Sequence, residues 1–278
     1  MERIQSAIEK ARVLRQSGGQ SGGKPPEQRV RAAMSRQMPE PISEAWLAIE
    51  EFLPSVGTME HNRILTFANG PEATPFHMMR TKVLQQMRAN NWRRLAITSP
   101  SSACGKTMIG ANLAFSLGRQ ADLRVALIEL DMRRPALART LGLKTGRQQF
   151  SRVLEGTVSA QDHMLRYGAN LAFGINHTSI RNTSELLQSA AALDALNDLE
   201  SRLDLSLTIF DMPPMLTSDD MLAFAEKVDC VLLVAAAEST TITQIDTCER
   251  NLAEQTNFLG VVLNKCRYAD DANGYDYY

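Results

Sequence analysis

The chain has 278 residues, a formal net charge of −1 and 22% charged residues. It is long enough for a substantial core, and it lacks the charge excess of a nucleic-acid or membrane-surface binder. Cys104, Cys230, Cys248 and Cys266 form no CxxC pair, no signal peptide precedes them, and no apolar run approaches the ~20 residues that span a bilayer. Reduced thiols and a cytoplasmic location are expected.

In chain order, Met1, Ile4, Ile8, Ala11 and Leu14 recur at helical spacing among basic residues, which predicts a short amphipathic helix over 1–16 suited to a partner or an anionic surface. SGGQSGGKPP follows as a flexible linker, and a second helix is expected at Ser43–Phe52, closed by Pro54. This division gives an N-terminal segment 1–57, a body 58–267 and a tail 268–278. The body opens with a predicted strand at Asn62–Phe67 and a turn at Asn69-Gly70-Pro71. Thr74-Pro75 reads as the N-cap and first position of a helix over Phe76–Met87. Strands are then expected at Arg94–Ser99, Leu123–Leu130, Asn170–Ile175, Leu205–Phe210, Asp229–Ala235 and Leu259–Asn264. Helices are expected at Gly105–Leu117, around Pro135–Leu141, in the 150s and 160s, at Glu185–Arg202 and at Thr241–Glu254. Continuously apolar strands such as VDCVLLVAA need cover on both faces, so the fold class is α/β, a doubly wound, mostly parallel sheet of the P-loop NTPase kind.

The chemical signal is LAITSPSSACGKT, residues 95–107. A buried strand runs into a loop of small residues, and Gly105-Lys106-Thr107 opens a helix, so backbone N–H groups of Ser102, Ala103, Cys104, Gly105, Lys106, Thr107 and Met108 form an anion nest. Lys106 would reach the terminal phosphates and the Thr107 hydroxyl would bind Mg²⁺. Pro100 replaces the first glycine of the usual GxxxxGK[ST], and Ala103 stands where a related loop often has glycine. Two acidic strand ends complete the constellation: Glu129 and Asp131 in VALIELDMRRP, and Asp211 in SLTIFDMPP. Alternation along the strand predicts that both Glu129 and Asp131 face the P-loop crevice. Buried carboxylates need a cation, and Mg²⁺–ATP is the natural one.

These elements, together with NTSELLQS (182–189), LGVVLN and a tyrosine-rich terminus, resemble the bacterial tyrosine kinases (BY-kinases), P-loop enzymes tied to exopolysaccharide and capsule export. The resemblance covers roughly 58–278. It implies ATP-dependent autophosphorylation of the tail tyrosines, Tyr275, Tyr277 and Tyr278 and, closer to the fold, Tyr268. It also implies a cognate phosphatase and a separate membrane-embedded activator that recruits the kinase to the inner membrane face. Mapped onto this chain, Lys106 and Thr107 bind phosphate and Mg²⁺, Asp131 and Asp211 serve the metal, Glu129 or Asp131 accepts the tyrosine proton, and Asn264 contacts adenine; read without the family, Asn264 is a strand cap.

Three departures from the pattern stand out: Glu129 where the family has Asp, Ala103 for the loop glycine, and Thr74-x-x-His77-x-x-Arg80 where the family's oligomerisation signature reads Glu-x-x-Arg-x-x-Arg. A homo-oligomer is therefore possible but unspecified. Two other readings share the fold. A ParA/MinD-type partitioning ATPase usually has a lysine early in the loop, where Ser101 stands here. A non-catalytic, nucleotide-gated scaffold of a polysaccharide exporter would tolerate Ala103 and Glu129. No nucleic-acid partner is implied.

Overall fold

The computed structural model describes residues 43–266; the predicted helix over 1–16, the linker and the tail tyrosines lie outside the described residues. In chain order the elements are α1 (Glu44–Leu47), β1 (Glu50–Glu51), α2 (Val56–His61), α3 (Leu65–Ala68), α4 (Thr74–Asn90), β2 (Arg94–Thr98), α5 (Lys106–Gly118), β3 (Val125–Glu129), α6 (Leu137–Thr140), α7 (Phe150–Leu154), α8 (Ala160–His163), β4 (Met164–Tyr167), β5 (Leu171–Gly174), α9 (Thr183–Gln188), α10 (Ala190–Arg202), β6 (Leu207–Asp211), α11 (Asp220–Phe224), β7 (Cys230–Ala236), α12 (Ile242–Ala253) and β8 (Asn257–Asn264). The strands form a single sheet in the order β1-β4-β5-β3-β6-β2-β7-β8. Every neighbouring pair is parallel except β4–β5.

Both faces are covered, as the continuous apolar runs require. Alternate residues of each strand serve opposite cores. Leu95, Ile97, Leu127 and Ile209 pack with Val83, Leu113 and Leu117 of α4 and α5 on one face. Ala96, Ile128, Phe210 and Leu233 pack with Leu196, Leu199, Phe224 and Leu252 on the other. Phe115 of α5 anchors an aromatic group with Phe67, Tyr167 and Phe173, ring centroids 5.4–5.6 Å apart. The one tyrosine outside the tail, Tyr167, is thus a packing residue.

Several local expectations are corrected. No strand forms at Asn62–Phe67. There α2 gives way to Arg63 in the left-handed region and then to α3. Buried Asn112 of α5 decides this: its Oδ1 accepts from the Thr66 backbone N–H at 3.1 Å, and its carbonyl accepts from Thr66 Oγ1 at 2.9 Å. A tertiary clip overrides the β-branched preference of Ile64 and Thr66. The helix expected at Ser43–Phe52 stops at Leu47. Glu50–Glu51 instead join the sheet beside β4, the Phe52 N–H donates to the Arg166 carbonyl, and Trp46 Nε1 donates to the Gly168 carbonyl. The sheet therefore begins upstream of residue 58.

Thr74 is a helical residue rather than a cap. Ala73 holds the cap position and Thr74 Oγ1 donates to the Pro71 carbonyl. The helix expected over Glu185–Arg202 is split at extended Ser189, whose hydroxyl caps α10 by accepting from the Ala192 N–H. The strand β4, between β1 and β5, and the short α11 were not foreseen.

His77, in the altered signature on α4, is a clip between elements. Its Nδ1 lies 2.8 Å from Ser116 Oγ on α5 and its Nε2 lies 2.7 Å from Asn69 Oδ1. Since an amide oxygen only accepts, Nε2 carries the proton and Nδ1 accepts from Ser116. Burial, then the nearby Arg80 and Arg119 charges, hold the His77 pKa below its ordinary value, and burial does the same at His163 and His177. A folded-state pKa lower than the unfolded one gives stability that is present above the unfolded pKa and lost as pH falls through the folded value. Whatever the buried carboxyls with raised pKa contribute to both proteins, His77→Gln should therefore lose less unfolding free energy than the parent as pH goes from 7 to 5. Denaturant titrations at several pH values check this, and a slope unchanged in His77→Gln would remove His77 from the account.

Candidate nucleotide-binding and phosphoryl-transfer site

The carboxyl ends of β2, β3 and β6 lie side by side. Glu129 and Asp211 are register partners, and Ile97 of β2 pairs with Asp211 on the other side. Ligands sit outside such strand ends in open parallel sheets.

The loop after β2 is pinned from three directions. The Met215 and Leu216 N–H groups donate to the Ser99 and Pro100 carbonyls, and Thr98 Oγ1 donates to the Pro213 carbonyl at 2.7 Å. Asn264 Nδ2, at the end of β8, donates to the Cys104 carbonyl at 2.8 Å. The Cys104 sulfur is buried within 3.7 Å of both Ser101 Oγ and Thr240 Oγ1. Burial pushes this thiol up, and the hydrogen bonds outweigh it and leave its pKa below the ordinary value. Gly105 caps α5 at φ +96°, where any Cβ would collide with the Asn264 amide. Ala103 has φ +61°, the strained conformation that its position in the loop suggested.

Lys106 is buried and turned onto the acids. Its Nζ lies 2.7 Å from Asp131 Oδ2 and 3.6 Å from Asp211 Oδ1. Burial would lower the lysine pKa, but the Asp211 and Asp131 carboxylates outweigh it and hold it above the ordinary value. Thr107 Oγ1 donates to Asp211 Oδ2 at 2.6 Å. Asp211 is fully buried, and desolvation raises its pKa against the pull of Lys106 and Thr107.

Asp211 Oδ1 is buried with no hydrogen-bond partner. An orphaned carboxylate oxygen beside a threonine hydroxyl fits a hard cation that takes oxygen ligands. Among the described residues no three His, Cys, Asp or Glu side chains converge closely enough to hold a metal alone. A Mg²⁺ here would draw its remaining ligands from phosphate and water, its usual habit.

Glu129 departs from expectation. Its carboxylate is taken up by backbone amides of neighbouring loops. Its Oε1 accepts from the Ala136 and Leu137 N–H groups at 2.5 and 2.6 Å, and its Oε2 accepts from the Asn176 N–H at 3.0 Å. Asn176 Nδ2 in turn donates to the Glu129 carbonyl. β3 ends at Glu129, and the Leu130 and Asp131 N–H groups both donate to the Asp211 carbonyl, so strand alternation does not extend to Asp131. Burial pushes the Glu129 carboxyl up to about 7, with three backbone donors pulling the other way. With both oxygens engaged by backbone amides, Glu129 is a brace for the loop that follows rather than a metal contact or proton acceptor in this state.

Sequence reasoning missed Asp220 and Asn176. Asp220 is fully buried and accepts from Arg133 Nε at 2.8 Å and Thr183 Oγ1 at 2.6 Å, tying the loop after β3 to α9 and α11. Its signal was weak: Ser218-Asp219-Asp220 reads as an ordinary polar turn.

Residues 95–276 match the profile of the CobQ/CobB/MinD/ParA nucleotide binding domain. The chain belongs to this family. Among relatives it is similar to CapB of Staphylococcus aureus, a candidate tyrosine-protein kinase by name, at 26% identity over 73% of this chain and 88% of CapB. It is also similar to AmsA of Erwinia amylovora, similarly named, at 28% identity over 79% of this chain. The chain spans 30% of AmsA's length. The crystal structure of the VpsO kinase domain superposes with a TM-score of 0.62 at 27% identity, covering 72% of this chain and 98% of that domain. Within the CobQ/CobB/MinD/ParA family, the similarity therefore runs to proteins named as tyrosine kinases.

The loop geometry separates two substitutions. Ala103→Gly should relieve the left-handed strain and stabilise the protein by about 1 kcal/mol, raising Tm by ~2–4 °C. Gly105→Ala should destabilise it and weaken nucleotide binding at least tenfold, because the new Cβ displaces Asn264. Thermal unfolding with and without Mg²⁺–ATP measures both. A Tm for Ala103→Gly at or below that of the parent would refute the strain.

Proposed function

We propose that the chain is an ATP-dependent protein-tyrosine kinase that phosphorylates its own tail tyrosines and, as the BY-kinase resemblance implies, works in exopolysaccharide assembly with a membrane-embedded activator and a phosphatase. The observation that carries the reading is the buried Lys106–Asp131–Asp211–Thr107 cluster at the mouth of a P-loop. Among the described residues no helix is long and apolar enough to cross a membrane.

In this mechanism the backbone amides from Ser102 to Met108 cradle the phosphates, and Asn264 holds that backbone in place beside the base. Mg²⁺, when bound, neutralises charge on the transferring phosphoryl group. Thr107 and the open oxygen of Asp211 are the protein groups that would hold it, with Asp131 beside them. Lys106 swings from Asp131 to the terminal phosphates, which frees the Asp131 carboxylate. Tyrosine titrates near pH 10 in water, so a carboxylate must take its proton as the new P–O bond forms. Asp131, 5% exposed at the cleft, fills that role better than Glu129, whose oxygens are occupied. Transfer leaves ADP and a phosphotyrosine.

The ParA/MinD-type ATPase stays the second reading, since it shares the family and the acids. Incubation of the full chain with Mg²⁺–ATP, with and without an activator, followed by mass-spectrometric mapping of phosphotyrosine, tests the proposal. Phosphate should appear at Tyr275, Tyr277 or Tyr278, vanish in Lys106→Met, and form ~10²–10⁴-fold more slowly in Asp131→Asn, the usual contribution of a general base. ATP hydrolysis without phosphotyrosine would favour the ATPase, and tail phosphate surviving Lys106→Met would sink the kinase.

A further inference from the structure

The rim of the site on the β3 side carries unpaired positive charge. Arg133 is neutralised: its guanidinium bonds buried Asp220 and lies 3.7 Å from Asp219. Arg134 differs. Its backbone N–H donates to Asp131 Oδ1 at 3.2 Å, fixing the residue at the catalytic carboxylate. Its side chain is exposed, with no hydrogen bond or ion pair among the described residues. Arg181 is equally exposed and equally free, and it is held nearby because the Ile180 N–H donates to the Met132 carbonyl at 3.0 Å. Two free guanidinium groups thus flank the loop that carries Asp131.

The segment after Arg267 has the opposite character. It contains Asp270, Asp271 and Asp276 among its tyrosines and no Lys or Arg. Because β7 and β8 are parallel, β8 ends at the same edge of the sheet as the site. From β8 to β3 is four strand spacings in the order β3-β6-β2-β7-β8, ~19 Å. An extended chain from Asn264 reaches ~13 Å at Tyr268 and ~36 Å at Tyr275. Within one subunit Tyr268 falls short of Asp131, while Tyr275, Tyr277 and Tyr278 can arrive there with their aspartates beside them.

We propose that the free guanidinium groups of Arg134 and Arg181 select the acceptor by pairing with the aspartates that flank its tyrosines, Asp270, Asp271 and Asp276. This rests on the kinase reading and adds a specificity element to it. Arginine's planar fork suits carboxylate recognition. The pairing acts on acceptor binding, not on phosphoryl transfer, so it belongs in KM rather than kcat.

The test takes as enzyme the full chain with Phe at Tyr268, Tyr275, Tyr277 and Tyr278. The acceptor is a fluorescein-labelled peptide of residues 267–278, compared with a peptide carrying D270N, D271N and D276N. Peptide binding is read by anisotropy with Mg²⁺ and a non-hydrolysable ATP analogue, and transfer by phosphotyrosine formation with Mg²⁺–ATP. R134A/R181A should weaken binding and raise KM for the aspartate peptide about fivefold, the worth of one or two exposed ion pairs, with kcat changed less than twofold. The asparagine peptide should bind the parent and R134A/R181A alike. R134K/R181K should recover part of the loss, and the difference between peptides should close in ~1 M salt.

Equal weakening of both peptides by R134A/R181A, or none of either, overturns the proposal. Phosphotyrosine formed without discrimination between the peptides leaves the kinase reading standing and removes the arginine pair. Discrimination in anisotropy without phosphotyrosine in any arm does the reverse.

Discussion

Three carboxylates buried at the ends of two adjacent strands are the constraint on which the rest of the site depends. Glu129 and Asp211 face each other in register, Asp131 follows two residues on, and all three are nearly or fully shielded from water. Each needs compensation, because an unpaired buried carboxylate is costly. The fold answers each differently. Glu129 receives backbone amides from two loops, Asp131 receives the Lys106 ammonium, and Asp211 receives a hydroxyl on one oxygen and, on the other, no hydrogen bond but the Lys106 charge at 3.6 Å. On the proposed reading this unequal settlement divides the roles: the sated acid is structural, the ion-paired acid can be released, and the open oxygen is where a cation would be held.

The same settlement explains what was legible in the sequence. Lys106, Thr107, Asp131 and Asp211 were legible because their placement follows from local rules: a strand, a small-residue loop, a helix start, and acids at strand ends. The orientation of Glu129 was not, since it depends on Asn176, Ala136 and Leu137, which arrive from other loops. Asn62–Phe67 misled for a related reason. Its residues prefer a strand, and only the Asn112 clip, 46 residues further along the chain, makes them helical. The strands β1 and β4, at one end of the sheet, are short and carry charged residues, so they lack the apolar run that announced β7. For Glu129 and for Asn62–Phe67 the missing term was a hydrogen bond between a polar side chain and the backbone of another segment, which leaves no periodic trace.

The P-loop's substitutions look different once its neighbours are seen. Pro100 brings no N–H to the nest, but its carbonyl accepts from Leu216, so the residue serves as a brace to the segment after β6. Ala103 carries the strain of a left-handed residue, which persists only where the surroundings over-determine the backbone. They do so here. The turn before α12 reaches the Cys104 sulfur through Thr240, and β8 reaches the Cys104 carbonyl through Asn264. A loop with fewer glycines is held in shape by contacts from three strands' ends.

Lys106 connects these parts into one event. Its ammonium lies 2.7 Å from Asp131, and each of its three donors turned toward a terminal phosphate weakens that pairing. With Lys106 at Asp131 that carboxylate is ion-paired, while Asp211 Oδ1 has no hydrogen-bond partner. On the proposed reading, nucleotide arrival draws the lysine away and frees the Asp131 carboxylate, while Thr107 and Asp211 are the groups that would hold a divalent cation. The carboxylate that takes the tyrosine proton is thus exposed only when there is a phosphoryl group to transfer. That coupling follows from having more buried acids than buried bases at one strand edge, and it would be lost in a site where Asp131 were paired as completely as Glu129 is.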